Sequence, residues 1–254
     1  MARLAGKTAI ITGAGGDIGQ AALRRFVSEG ALVLAVDLDE ASLSDAVREL
    51  GDDRVFPQPA DVTRSDDMER CVDAALLRFG KLDIALLNAG IEGEVAPITD
   101  YDEDVFDRVI AVNVRGVWLG LKYVMKAMAP AGSGSIVITS SVAGVRGRKG
   151  ISAYTASKHA VVGLMRTAAL EGAEFGVRVN TVNPGPIETR MIRALEQGYN
   201  PGDPRGAREQ ALATTPMGRY GTPDEVASMM LFLASDESSH STGCTYMVDG
   251  GRTA

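Results

Sequence analysis

The chain is poor in the residues that build covalent and metal frameworks. It has two cysteines, Cys71 and Cys244, and two histidines, His159 and His240. No CxxC pair or metal-ligand spacing is present, so a disulfide framework and a zinc site have no support, and no metal is expected. Both thiols read as small buried hydrophobes. Long apolar runs are missing as well: no segment approaches the roughly 18 residues of a membrane span, and Met1 to Lys7 contains no apolar stretch of leader type. A cytoplasmic, reducing setting is expected, with no membrane partner. Clustered positive charge is scarce. The formal net charge is −7, and the one basic cluster, Arg146, Arg148 and Lys149, is too short for phosphate-backbone binding, so nucleic acid is not an expected partner.

What the chain does have is bulk and glycine. Its 254 residues, 45% hydrophobic and 23% charged, fall in the range of soluble globular proteins and can bury a large core. Glycine is in excess at 29 residues, above the usual share of about 7%. Such an excess points to tight turns or to backbone held close to a ligand.

Short apolar runs alternate with amphipathic stretches. Strands are predicted over Lys7–Thr12, Ala31–Val36, Arg54–Pro57 and Leu82–Leu87, with helices over Ile18–Glu29, Glu40–Leu50 and Ser65–Phe79 between them. Runs such as LVLAV and IALL are apolar on both faces, as in a parallel sheet covered on both sides. The second half continues with a long helix over Asp104–Ala129, a strand over Ser135–Thr139, a helix over Ala153–Phe175 and a strand over Val177–Val182. A polar, irregular stretch then runs from Asn183 to about Gly221, its part from Pro186 onward reading as a lid. Thr222, Pro223, Asp224 and Glu225 start a helix that reaches Ala234, and Thr245–Val248 forms a last strand. The expectation is one α/β domain over 1–254, a doubly wound, Rossmann-like parallel sheet. Paired acids such as Asp52/Asp53, Asp66/Asp67 and Asp236/Glu237 read as solvated turn or helix-start residues, and Trp118 and Tyr123 as packing residues.

Gly13, Gly15, Gly16, Asp17, Ile18 and Gly19 follow the first strand and open the first helix. Glycine there lets backbone amides approach a pyrophosphate at a helix N-terminus, although an ordinary tight turn has the same look. Asp37, 18 residues after Gly19, ends the second strand where a carboxylate would hold a ribose hydroxyl pair and repel a 2′-phosphate, favouring NAD; a turn-capping role is the alternative. Asp61 and the adjoining Val62 are candidates for the adenine end, and a plain turn explains Asp61 equally well. Tyr154 and Lys158 stand four apart on one helix face, a spacing common on solvated surfaces. A nearby ammonium would lower the phenol pKa from about 10 and suit it to acid/base work. Ser141, after the strand SIVIT, lies at the carboxyl edge where open sheets bind ligands.

Taken together, the Thr12–Gly19 loop, Asn88-Ala89-Gly90, Asn113, Ser141, Tyr154-x-x-x-Lys158, Pro184-Gly185 with Thr189, and Val248-Asp249-Gly250-Gly251 resemble the short-chain dehydrogenase/reductase family over nearly the whole chain. The resemblance implies hydride transfer between a nicotinamide cofactor and an alcohol/carbonyl pair by a homotetramer. It implies Tyr154 as general acid/base, Lys158 on the nicotinamide ribose and lowering the phenol pKa, Ser141 orienting the carbonyl, and Asn113 holding a proton-relay water. It also implies that Asn88 ties strands together beneath the cofactor, that Ala89 and Gly90 pass the adenosine ribose, and that Ile187 and Thr189 hold the carboxamide. Asp17 departs from the family's glycine and is expected to cap the helix with its carboxylate turned away.

A cofactor-binding regulator without catalysis, or an epimerase or dehydratase on the same fold, are the rival readings. The four polar residues argue against the first, and the absence of a substrate-binding addition argues against the second. Met191, Ile192, Leu195, Leu212 and Met217 give the lid an apolar wall. It suits a small or medium secondary alcohol or ketone, cyclic and aromatic ones included.

Overall fold

A computed structural model describes residues 2–50 and 53–254; Asp52 of the Asp52/Asp53 pair lies outside them. Seven parallel strands form one sheet in the order β3-β2-β1-β4-β5-β6-β7. They are β1 (Thr8–Thr12), β2 (Leu32–Asp37), β3 (Val55–Pro59), β4 (Ile84–Leu87), β5 (Gly134–Thr139), β6 (Val177–Pro184) and β7 (Thr245–Val248). The order reverses between β1 and β4, so a crevice opens at their carboxyl ends, where ligands bind in open sheets.

The period of two along the strands divides the core. Ile10, Leu34, Val36, Ala85, Leu87 and Ile136 face one side, against α3 (Ser65–Phe79), α5 (Gly116–Met128) and α6 (Ser152–Ala173). Ala9, Ile11, Val33, Ala35, Leu86 and Val137 face the other, against α1 (Asp17–Ser28), α2 (Glu40–Leu50) and α9 (Pro223–Ala234). α9 starts with a full capping box between Thr222 and Glu225, with Pro223 in its first turn.

The structure differs from the sequence expectation in four places. The helix predicted over Asp104–Ala129 is α4 (Glu103–Ile110) and α5 joined by a π-helical turn, Ala111–Arg115, with Asn113 fully buried in it. The extra residue per turn lets a side chain point where an α-helix would not carry it. The stretch expected to be irregular folds into α7 (Arg190–Tyr199) and α8 (Pro204–Ala213). Their N-caps are side chains, Thr189 accepting the Ile192 amide and Asp203 the Gly206 amide. Ile192, Leu195 and Ala211 bury their faces with Tyr154 and Tyr220 in a third apolar cluster. Asp67 is buried, accepting the Asp61 amide (2.9 Å) and Arg70 (2.8 Å). Cys71 is buried as expected, but Cys244 is exposed, because it follows a left-handed turn at Gly243 leading into the edge strand β7. Trp118 is exposed and Tyr123 buried. No described helix is long and apolar enough to cross a membrane.

Gly19 sets the approach of α1 to the first loop: a Cβ there would lie 2.0 Å from the Gly13 carbonyl oxygen and 2.8 Å from Ala14 Cα. At Gly16 the nearest atom is 3.6 Å away. Gly19→Ala should therefore lower unfolding free energy by about 1–3 kcal/mol, the usual cost of overpacking, whereas Gly16→Ala should leave it within about 0.5 kcal/mol. Urea unfolding of both variants checks this, and equal stabilities would contradict it.

Candidate active site

The crevice is one cleft of about 780 Å³ that runs from Asp37 and Asp61 to Tyr154, Lys158 and Thr189, within the usual range for ligand pockets of about 300–1,000 Å³. The candidate catalytic and cofactor-binding residues all line it except Asn113; of the expected apolar wall, Met191, Ile192 and Leu195 line it, whereas Leu212 and Met217 do not, Met217 being exposed. Asn113 is fully buried behind it.

At one end, Asp37 accepts the Gly15 amide through Oδ2 (2.9 Å) and the Asp39 amide through Oδ1 (3.2 Å). The β2 carboxylate and the glycine loop therefore hold each other in place. Gly15 is confined: a Cβ would lie 2.5 Å from Ser42 Cβ and 3.2 Å from the Asp37 carboxylate. Asp61 is an Asx turn, accepting both the amide and the hydroxyl of Thr63 at 2.8 Å. Val62 packs against Gly116, where a Cβ would come within 2.9 Å of it.

Beneath the middle of the cleft, Asn88 bridges two neighbouring strands. Its Oδ1 accepts Thr139 Oγ1 (2.9 Å), its Nδ2 donates to the Gly13 carbonyl (3.2 Å), and Thr12 Oγ1 accepts the amides of Asn88 and Ala89. Gly90 sits where a Cβ would be 3.2 Å from Asn113 Oδ1 and 3.4 Å from Lys158 Nζ.

At the far end, Asn113 accepts the Ile91 amide (2.8 Å) and donates to the Ile91 carbonyl (2.9 Å) and to Ser157 Oγ (3.0 Å). The π-helical turn thus grips the backbone after β4. Lys158 is 4% exposed and donates to the Thr139 carbonyl at 2.8 Å. Its ammonium lies 5.5 Å from the Tyr154 ring centroid. Burial pulls the Lys158 pKa down to about 8. Burial likewise pushes the Tyr154 phenol up to about 12, opposed by its hydrogen bond with Ser141 and by the charge of Arg148, and reinforced by Glu92. Desolvation is the largest of these influences, and the Lys158 ammonium is bonded to a backbone carbonyl. Ser141 Oγ also accepts the Ala143 amide (3.1 Å), and its carbonyl accepts Asn183 Nδ2 (2.9 Å).

The wall opposite the sheet is the segment after β6. Pro184 pairs with Val248 in the sheet, and Gly185 allows close approach, since a Cβ would lie 2.8 Å from Asp249 Cα. Ile187 bridges to Gly221, and Thr189 Oγ1 donates to the Ile187 carbonyl (3.2 Å) besides capping α7. Asp17 is not the expected cap. The N-cap of α1 is Gly16, with no side-chain hydrogen bond, and the Asp17 carboxylate instead accepts the Arg190 amide at 2.7 Å, reaching across the cleft to the start of α7. A first-turn aspartate points outward, and an unpaired amide at the neighbouring helix start satisfies it. Arg190 in turn pairs with Glu92 (2.7 and 3.0 Å).

Sequence reasoning missed the Thr139 carbonyl, Ser140, Glu92 and Arg190. A backbone carbonyl leaves no trace in residue identity. Ser140 stood beside Ser141 and could have been found; its hydroxyl donates to the Lys158 carbonyl (3.0 Å). Arg190 and Glu92 are 98 positions apart, and only the fold joins them.

Residues 13–253 match the family model described as enoyl-(acyl carrier protein) reductase. Levodione reductase from Leifsonia aquatica is 38% identical over 99% of this chain and 96% of its own length, and its crystal structure superposes with a TM-score of 0.95 over 98% of both chains. A 3-oxoacyl-acyl-carrier-protein reductase from Thermotoga maritima is 41% identical over 98% of each sequence. The structure of an NAD+-bound xylitol dehydrogenase, 35% identical, superposes with a TM-score of 0.93 over 98% of this chain and 100% of the other. With its parallel seven-stranded sheet and a cleft lined by Ser141, Tyr154 and Lys158, this chain belongs to the short-chain dehydrogenase/reductase family of oxidoreductases.

Proposed function

We propose that the chain is an NAD(H)-dependent oxidoreductase that interconverts a secondary alcohol and its ketone. The observation that carries this reading is the continuity of the cleft from the Asp37 carboxylate to the buried Ser141, Tyr154 and Lys158. The residues fit the cofactor: Asp37 and the glycine loop suit an adenosine ribose and a pyrophosphate, Asp61 and Val62 the adenine side, and Ala89 and Gly90 the middle. Lys158 suits the nicotinamide ribose, and Pro184, Gly185, Ile187 and Thr189 the carboxamide end. When bound, NAD supplies the hydride acceptor or donor and, oxidised, a positive ring charge.

The chain's own residues do the rest. Ser141 donates a hydrogen bond to the substrate oxygen and orients it. Tyr154 holds the proton at its phenol oxygen, donating it to the oxygen of a ketone under reduction and taking it from the hydroxyl of an alcohol under oxidation. A phenol near 12 is fully protonated at neutral pH and thus ready as the acid; Ser141 and Arg148 favour the phenolate needed for oxidation. Asn113 and Lys158, converging on Gly90, suit a proton path toward solvent. The apolar residues Ile192, Leu195 and Met191 on α7 exclude water from the reacting carbon.

We further place the protein in a reducing cytoplasm, as its unpaired thiols suggest, and propose a homotetramer. Exposed Trp118 on α5 and Leu170 on α6, 47% and 77% accessible, support assembly through these helices. Light scattering should give four chain masses, and a monomer at micromolar concentration would remove this proposal.

Tyr154→Phe keeps the ring and its packing. It should bind NADH as wild type does in a fluorescence titration while turnover with a responsive alcohol falls about 10²- to 10⁴-fold. Wild-type turnover in a folded Tyr154→Phe protein would sink the assignment. Asp37 has no lysine or arginine beside it to receive a 2′-phosphate, so kcat/KM should favour NAD over NADP by at least about a hundredfold, as a desolvated like-charge contact costs several kcal/mol. Equal efficiency with NADP would contradict this.

A further inference from the structure

A second cavity, of about 450 Å³, lies behind the substrate end of the cleft, and Val142, Arg148, Ile192 and Leu195 line both. Its charged lining is three arginines, Lys149 and one carboxylate, Glu196. Arg146, Arg148 and Arg252 all reach it, from two segments 104 positions apart, in a chain whose net charge is −7. The nearby acids, Glu196 in the lining itself and Asp249 outside it, are already hydrogen-bonded. Glu196 Oε1 accepts the Tyr220 hydroxyl at 2.8 Å and faces Arg208 at 3.8 Å, and Asp249 accepts the amides of Gly251 and Thr253 and the Thr253 hydroxyl.

The three guanidinium groups are fixed by neutral partners. Arg148 Nε donates to the Tyr199 hydroxyl (2.9 Å), and its plane lies 4.8 Å from that ring's centre. Its two terminal nitrogens make no hydrogen bond among the described residues. Arg146 donates to the Arg252 carbonyl (2.9 Å), and Arg252 to the Ala211 carbonyl (2.7 Å) and Thr215 Oγ1 (3.0 Å). No carboxylate ion-pairs with any of the three among the described residues, whereas Arg190, Arg208 and Arg219 at the rim of the same lid each hold one. They also repel one another: after burial, the charges of Arg148 and Arg146 are what hold the Arg252 guanidinium below its ordinary pKa. Like charges gathered without a direct ion pair raise the energy of the fold, and an anion bound among them would relieve it.

We propose that the substrate is a hydroxy or oxo acid whose carboxylate, at the end remote from the reacting carbon, is bound by Arg148 with support from Arg146 and Arg252. This rests on the alcohol/ketone reading above and narrows its substrate class. The Arg148 fork is pre-oriented by its stacking on Tyr199 and presents its two free nitrogens as a planar pair, the geometry that receives a carboxylate bidentately. Because Arg148 lines both cavities, one substrate can reach the arginine while its oxygen stays at Ser141 and Tyr154.

The test compares NAD-linked oxidation of two matched series, neutral alkan-2-ols and hydroxy acids bearing a terminal carboxylate, in wild type, Arg148→Gln and Arg146→Gln. In wild type the acids should surpass the neutral alcohols in kcat/KM at the chain length that spans the two sites. The acid-to-neutral ratio should fall about ten- to a hundredfold in Arg148→Gln, mostly through KM, the scale of a lost charge-assisted hydrogen bond. Arg146→Gln, at an exposed position, should lower it less and serves if Arg148→Gln does not fold. Acids no better than alcohols at every length, or a ratio unchanged in the variants, would overturn the proposal and leave the alcohol/ketone reading intact. If neither series is oxidised, that reading fails, and calorimetry with adipate decides the anion site: binding weakened in Arg148→Gln supports it, and no binding to wild type overturns it.

Discussion

The burial of the Lys158 ammonium is the constraint to which the active-site region answers. A cation taken out of water is costly unless it is bonded or neutralised. Lys158 is satisfied by the Thr139 carbonyl at the end of β5. That carbonyl is held by the ladder with β6 and by Asn88, which fastens Thr139 to the loop after β1. The glycine loop, the central strands and the helix carrying Tyr154 are in this way one hydrogen-bonded body. Anything that shifts β5 against α6 alters the charge environment of the phenol.

The π-helical turn serves a separate tie. Asn113 must reach both the backbone after β4 and Ser157 on α6, and a regular α-helix through Ala111–Arg115 would not direct it so. On the opposite wall, Asp17 and Glu92 tie Arg190, the first residue of α7, to the glycine loop and to the segment after β4. α7 is therefore anchored at its start by electrostatics and packed farther along by Ile192 and Leu195.

Much of this was legible in the sequence. The strand runs, apolar on both faces, and the helix between each pair gave away a doubly wound sheet, because burial on two faces leaves no room for polar alternation. The glycine loop, Asp37 and Tyr154-x-x-x-Lys158 were visible as spacings. What was hidden had physical reasons. The π-helical turn keeps the apolar period of the flanking helices and differs only in its hydrogen bonds. α7 and α8 were masked by polar residues between Gln197 and Arg208, since their caps outweigh composition. The role of Asp17 depends on a residue 173 positions away. The burial of the phenol was hidden too, because residue spacing says nothing of solvent exclusion.

The account turns on a lysine that is buried, cationic at neutral pH and bonded to backbone. Carbon NMR of protein labelled at the lysine Cε, with Lys158 assigned by its absence in Lys158→Met, measures that state directly. The account predicts that the cofactor-free protein shows one lysine titrating near 8, apart from the solvated lysines at about 10.4. A Lys158 signal titrating with the solvated group would contradict it.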